Sequence, residues 1–275
     1  MISVVIFSKD RACQLDLLLR SMAINMIDVP GVTVLYTSSS RQFQDGYDKL
    51  ASKFPQHRWV RESDFRKDLL RIYASATNEY VLNLVDDEVV VSPIGLSRFV
   101  DLMGKNGDAI HCASLRMHPG VDYTYTWGLH SPPSNLSRIV GLDDYYLLDW
   151  SRNDVRTDWG FPSCINSHIY HRDVFVKAVN GLQFRTVNEM EIVFHGQRRT
   201  FKRYMLLHKF PKTASIANNK VQLGGSRHGS NDEYSVENLN RLFLGGSIID
   251  GSDFTDLTFH MATFEHGYRF VGSGG

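Results

Sequence analysis

The stretch that most constrains this chain is Glu79 to Val91, EYVLNLVDDEVVV. Tyr80 to Val85 is a short, nearly continuous apolar run with the length and composition of a strand buried on both faces of a sheet. It runs straight into Asp86, Asp87 and Glu88, and apolar residues resume at Val89. Three carboxylates set between two apolar runs are costly to bury unless a positive group meets them. A divalent cation carrying a phosphate is one answer, because hard oxygen ligands suit Mg2+ and Mn2+. A solvated turn after a strand is the other.

The chain before this stretch alternates strand and helix. Ile2 to Phe7 is β-branched and apolar, and Leu15, Leu18, Leu19, Met22 and Met26 recur at helical spacing, which predicts a helix over Ala12 to Asn25. Val29, Pro30 and Gly31 break the chain before a strand at Val32 to Tyr36. A short helix through Tyr47 and Leu50, a short strand at Arg58 to Val60 and a helix from Phe65 to Ala76 capped by Asp64 complete the run. Such alternation argues for a parallel, doubly wound sheet. Ligands in these sheets bind beyond the carboxyl ends of the strands. That rule places Ser8 to Arg11, Thr37 to Ser40, Glu62 to Asp64 and the acidic triplet on one rim. No GxGxxG or Walker-type loop is present, which argues against dinucleotide oxidoreductases and P-loop enzymes.

Composition narrows the classes further. The 275 residues suit one large α/β domain, and 30 Lys plus Arg balance 30 Asp plus Glu, so no global charge points to nucleic acid. Cys13, Cys112 and Cys164 are scattered and odd in number, with neither zinc spacing nor a disulfide framework. A reducing, cytoplasmic setting is the simplest reading. MISVVIFSKD reads as a first strand rather than a signal peptide, and no stretch approaches a membrane span. The tail 272–275, GSGG, reads as a cloning remnant.

The first strand ending in FSKDR, the helix with QLDLLLRS and the acidic triplet some eighty residues on resemble a nucleotide-sugar-dependent glycosyltransferase of the GT-A fold, in a bacterial, family-2-like layout. The resemblance covers Met1 to Leu115 in layout and the remainder loosely. It implies an α/β, mostly parallel Rossmann-like sheet flanked by helices. Residues 1–115 would form the nucleotide-sugar-binding half and 116–271 an irregular, aromatic-rich acceptor half. Asp86-Asp87-Glu88 stands for the family's Asp-x-Asp as Asp-x-Glu, and the change leaves the metal preference open. By the resemblance, Ser8, Lys9, Asp10 and Arg11 sit near base and ribose, Ser38 faces the base, and Arg66 and Lys67 approach the nucleotide or its phosphates. Asp86 and Asp87 belong to the donor site, with Asp86 on ribose or a metal-bound water and Glu88 on the Mn2+ or Mg2+ that bridges the diphosphate. For Lys9, Arg11, Arg66 and Lys67 the plain alternative is solvated surface charge.

Beyond a helix at Pro93 to Gly104 and a strand at Asp108 to Leu115, regularity fades. Met117 to Trp159 is rich in Tyr, Trp, His, Pro and Gly, and a long loop-rich aromatic segment within a domain tends to carry function. Trp127, Asp158 and Trp159 are the candidates for acceptor binding, while Tyr145, Tyr146 and Trp150 read as a satellite core. A strand at Ile165 to Tyr170 and helices over His171 to Val179 and Asn188 to His195 follow. Inverting members of the family carry an acidic base at such a helix start, and Glu191, with Glu189 behind it, fits in type. The alternative is acidic residues complementing the helix dipole. Arg203 to His208 reads as a strand and Lys212 to Val221 as an extended stretch. LGGSRHGSNDEYS has the composition of a loop. By the resemblance, a histidine in such a loop completes the metal shell, which would fall to His228, with Arg227 meeting phosphate and His208 as the second choice for the ligand. A helix from Tyr234 to Leu244 takes Ser235 as its cap.

The leading expectation is therefore a metal-dependent transfer of sugar from a UDP-, GDP- or dTDP-linked donor to a glycan or lipid-linked glycan, inverting through a Glu base. Self-association and contact of Asp253 to Phe270 with the inner face of a membrane stay open. Two alternatives stand beside it. A sugar-1-phosphate nucleotidyltransferase shares a related sheet, but FSKDRACQ lacks the Gly-rich loop usual there. The other is a carbohydrate-binding protein that kept the fold and lost turnover.

Overall fold

The computed structural model describes residues 1–29, 31–107, 109–221 and 232–272. Its first strands and helices are β1 (Ile2–Lys9), α1 (Ala12–Asn25), β2 (Val32–Thr37), α2 (Arg41–Lys53), β3 (Arg58–Arg61), α3 (Phe65–Ser75), β4 (Tyr80–Val85), β5 (Glu88–Val90), α4 (Leu96–Lys105) and β6 (Ile110–Ser114). Then come β7 (Leu136–Ile139), β8 (Leu142–Asp149), β9 (His168–His171), α5 (Arg172–Asn180), α6 (Val187–His195), β10 (Tyr204–His208), β11 (Thr213–Ile216), α7 (Val236–Leu244) and β12 (Thr263–Phe264).

Nine strands make one sheet in the order β7-β8-β10-β6-β9-β4-β1-β2-β3. The half β4-β1-β2-β3 is wholly parallel. β9 runs against both β4 and β6, β10 runs with β6, and β8 runs against both β10 and β7. Only β8 and β9 oppose the common direction, so this is the mostly parallel, Rossmann-like α/β sheet expected for a GT-A fold. The insertion of β9 was not anticipated, nor was the hairpin β7–β8. Asp143 and Asp144 interrupt the apolar pattern at the start of β8 and hide it in the sequence.

Strand alternation sorts the core into two layers. Val4 and Ile6 of β1 face the layer with α1, α2, α4 and α7. Val5 and Phe7 face the layer with α3, α5 and α6. Gly46 lets α2 approach α7, since a Cβ there would stand 2.5 Å from Asn240 Oδ1. Tyr145 and Tyr146 lie on β8 and pack against opposite layers, and buried Trp150 joins the second, so these aromatics are core as expected. The expected caps are in place: Asp64 accepts from Lys67 N at 3.0 Å and Ser235 from Asn238 N at 3.3 Å. Gly272 pairs with Ser247 in a short ribbon, so the fold reaches into the tail read as a remnant.

Candidate active site

The carboxyl ends of β1, β2, β3, β4 and β6 share one rim, with the segment entering β9 beside them. The chain turns sharply after β4 because β5 leaves the main sheet to pair with β11, and β11 pairs with β12. Asp86 and Asp87 form that turn.

The positive group that meets the acidic turn is Arg11. Its Nη1 lies 3.0 Å from Asp86 Oδ1 and 2.8 Å from Asp87 Oδ2. Its Nε donates to Asn219 Oδ1 at 2.8 Å and Nη2 to Asn219 O at 2.7 Å. Asp86 Oδ2 accepts from Ser8 Oγ and Lys9 N, both at 2.9 Å, and Ser8 Oγ meets the Tyr47 hydroxyl at 2.7 Å. Burial pushes the Asp86 carboxyl up to about 6 against the lowering effect of Arg11. Burial also opposes the Arg11 charge, but Asp87 and Asp86 outweigh it and hold the guanidinium protonated. The resemblance led to an expectation of Arg11 at base and ribose. Its donors are instead committed to two carboxylates and Asn219.

The other expected nucleotide contacts are scattered. Asp10 adopts φ 56° and accepts from Ser39 N at 2.7 Å, which ties the ends of β1 and β2. Ser38 donates to Gln44 at 2.9 Å. Arg66 is a correction: its Nε donates to Leu182 O at 2.7 Å and its Nη2 to Asn180 O at 2.5 Å, so it fastens α3 to the segment after α5. Lys67 is exposed and pairs with Asp64 at 3.1 Å, in line with solvated surface charge. Arg227 and His228 lie outside the described residues. His208 accepts from Phe210 N at 3.0 Å and packs edge-on against Tyr145.

On the acceptor side Trp159 is a second correction. It is 1 % exposed and its Nε1 donates to Val121 O at 3.2 Å, so its ring is core and has no face for a sugar. Trp127 is 62 % exposed. Asp158 is paired with Arg116 at 2.7 Å. Glu191 and Glu189 are separated by their surroundings. Glu189 is exposed, accepts from Arg185 N at 2.7 Å, and donates its own N–H to Thr186, an arrangement that caps α6. Glu191 is half-buried and accepts from Ile165 N at 2.6 Å. Burial raises its pKa, while Ile165 N–H and Arg116 pull it down.

Arg116 was passed over in the sequence. It follows β6, whose residues are all buried, and a charge set hard against a buried strand is the same signal that singled out Asp86. Glu88 faces inward: Oε2 accepts from Val85 N at 3.0 Å, and the Ser167 side chain is a second hydrogen-bond partner of the buried carboxyl. Burial pushes its carboxyl up to about 8. A cation would have to displace that proton. No group of three or more His, Cys, Asp or Glu that could hold a metal stands together among the described residues. With Asp86 committed to three donors, the residues do not fit a ready-made Mn2+ or Mg2+ site.

Sheet, rim and acidic turn together match the layout that the sequence resemblance implied. The chain is 26% identical over 195 residues to the bifunctional glycosyltransferase pgtA of Dictyostelium discoideum, a match that spans 66% of this chain and 25% of that protein. The chain thus spans about a quarter of the length of that curated relative. Among solved structures, S. aureus TarS matches with 12% identity and a TM-score of 0.48 over 79% of this chain and 37% of that one. Residues 1–349 of TarS in complex with UDP-GlcNAc match with 11% identity and a TM-score of 0.48 over 92% and 68%. The 4-diphosphocytidyl-2C-methyl-D-erythritol synthase of Anaerococcus prevotii matches with 11% identity and a TM-score of 0.43 over 89% and 96%. No family model matches the chain.

Proposed function

We propose that this chain is a glycosyltransferase that moves a sugar from a nucleotide-sugar donor to a glycan or glycoconjugate acceptor, as in surface-polysaccharide synthesis. The observation that carries the reading is the sequence relation to a glycosyltransferase over 195 residues. The acidic turn at the carboxyl ends of the strands, where such sheets bind ligands, supports it.

In this reading the donor lies along the rim from Lys9 and Ser38 to the acidic turn. Glu191 is the general base on the acceptor hydroxyl, in a single displacement that inverts the anomeric centre. Burial moves its pKa upward, toward the range where a base works best at neutral pH. Glu189, spent on the helix cap, takes no part. Exposed Trp127 and the carboxylate of Asp158 serve the acceptor. A Mn2+ or Mg2+ ion would offset charge on the leaving diphosphate if one binds. The described residues form no ready site for it, and no step is assigned to it. We place the chain in the cytoplasm on its three unpaired, buried cysteines. Among the described residues no helix is long and apolar enough to cross a membrane.

A thermal-shift screen of UDP, GDP, dTDP and CMP sugars, with and without Mn2+, tests the donor site. A ligand at ~100 times its dissociation constant stabilises by about 2.7 kcal/mol, which is readily seen as a raised melting temperature. A shift with one nucleotide class names the donor, and its dependence on Mn2+ decides metal use. No shift with any of them sinks the reading.

A further inference from the structure

Beyond the rim, a hollow of about 300 Å3 lies between a short hairpin and the turns that follow β8. In the hairpin Leu129 pairs with Thr124 and His130 with Tyr123, and Gly128 takes φ 63° in the turn between them. The hairpin side contributes Leu129, His130 and Ser131 to the lining, and the turns contribute Asn153, Asp154 and Arg156. Both sides are braced from within the chain. Ser131 Oγ meets Thr124 Oγ1 at 2.9 Å, and Thr124 Oγ1 accepts from Asp158 N at 3.1 Å. Asn153 Oδ1 accepts from Ser134 Oγ at 2.8 Å, and its Nδ2 donates to Asp149 O at 3.1 Å. A pocket held in advance loses little freedom when a ligand enters.

Charge selects the kind of ligand. Arg156 Nη2 lies 2.6 Å from Asp154 Oδ2, and Arg152, also on the lining, has Nε 3.1 Å from Asp149 Oδ2. Each guanidinium thus comes with its own carboxylate, so an anion meets Asp154 and a cation meets Arg156. A neutral polyol suits both, since its hydroxyls donate to carboxylates and accept from guanidinium groups. Leu129 offers apolar contact to its C–H face. Trp127, 62 % exposed, stands two residues from Leu129 as a platform on which a pyranose ring can lie. The volume is at the small end of the range for ligand pockets, about 300–1,000 Å3, which suits a single ring. A bonded path joins this place to the acidic turn. Ile216 N donates to Asp87 O at 2.7 Å and Ala217 N to Phe264 O at 2.8 Å. The Tyr125 hydroxyl, in the turn that carries Trp127, donates to Glu265 Oε1 at 2.5 Å. Two strand spacings of about 4.8 Å separate Asp87 from Glu265 before Tyr125 is reached.

We propose that the hollow binds a neutral sugar unit of the acceptor, one beyond the unit that receives the transferred residue. That the sugar belongs to an acceptor rests on the glycosyltransferase reading, while binding of a neutral sugar does not.

The test is an NMR titration of the full, 15N-labelled chain, read at the Trp127 indole N–H, whose signal is assigned by its loss in Trp127→Phe. The probes are the methyl glycosides of glucose, galactose, mannose and N-acetylglucosamine, with inorganic phosphate as the anionic control. At least one glycoside should move the signal saturably and phosphate should not. Arg156 is exposed, so Arg156→Ala should fold. It should weaken glycoside binding by ~10-fold, the loss expected for a hydrogen bond to a charged group, while the nucleotide-induced thermal shift persists. A signal that stays put with all four glycosides, or that answers to phosphate instead, overturns the proposal, as does unchanged binding in Arg156→Ala. In transfer assays with a disaccharide built on the glycoside that binds, Arg156→Ala should raise the acceptor KM; an unchanged KM overturns the assignment to the acceptor. A chain that binds the glycoside but transfers no sugar keeps the sugar site and loses the glycosyltransferase reading.

Discussion

Two arginines sit on the same rim, and their neighbourhoods differ. Around Arg11 every strong partner is matched: each nitrogen of its guanidinium has an acceptor, and Asp86 takes three donors. Around Arg116, a guanidinium nitrogen, a hydroxyl of Ser215 and a ring nitrogen of His168 are buried without partners among the described residues. Buried polar groups are normally satisfied, and exceptions gather where a site has work to do. The first arginine ties β1, the acidic turn and Asn219 into one piece. The second sits among buried polar atoms that find no partner among the described residues.

Breaking the saturated cluster should have the largest effect on stability. Arg11→Met leaves two carboxylates facing no cation and should cost about 3–5 kcal/mol, the usual penalty for removing one partner of a buried pair. Urea denaturation measures it, and a loss below ~1 kcal/mol would show that water already reaches Asp86. Acid should bear on the other side. Burial holds His111 and His168 at about 3, below the usual 6.5. The unfolded chain takes up protons between pH 6.5 and about 3 that the folded chain refuses, so stability falls as pH falls through that window. For His111 alone the loss is on the order of 4 kcal/mol by pH 3. His111→Phe, which keeps a ring on Phe201, should flatten the acid limb of a denaturation profile; an unchanged limb would mean that another group governs it.

Glu191→Gln should retain nucleotide binding but slow transfer by ~10²-fold or more, as for loss of a general base. Steady-state kinetics decide this, and near-normal turnover would take the base role away from Glu191. The smallest effect expected is at the cap of α6. Thr186→Ala should cost about 1 kcal/mol with transfer unchanged per folded molecule. Glu189→Ala should likewise leave turnover near wild type, and a large drop there would return Glu189 to the site.

The parallel half of the sheet was legible because its strands are continuous apolar runs separated by capped helices. Ala12–Asn25 and Tyr80–Val85 fall where their apolar residues place them, and Asp64 caps α3 as its type suggests. Of the mixed half, strands at Asp108 to Leu115, Ile165 to Tyr170 and Arg203 to His208 were read near where β6, β9 and β10 fall, but β7 and β8 were missed because they carry polar residues on an exposed edge. Residue type also says little about direction. Trp159 and Arg66 look like ligand-binding side chains, but one fills the core and the other binds backbone carbonyls. The carboxylates of the turn were correctly seen to need a cation, and that cation came from within the chain.

β9 carries a consequence for how the molecule is made. It fills the slot between β4 and β6, so nothing emerging from a ribosome before residue 171 can zip those two strands into one surface. Until then β4 presents an open, apolar edge, the sort of edge that invites pairing with another chain. Residues 1–115 are thus not a unit that closes on itself. A fragment ending there should aggregate during synthesis, whereas one extended past His171 should stay dispersed.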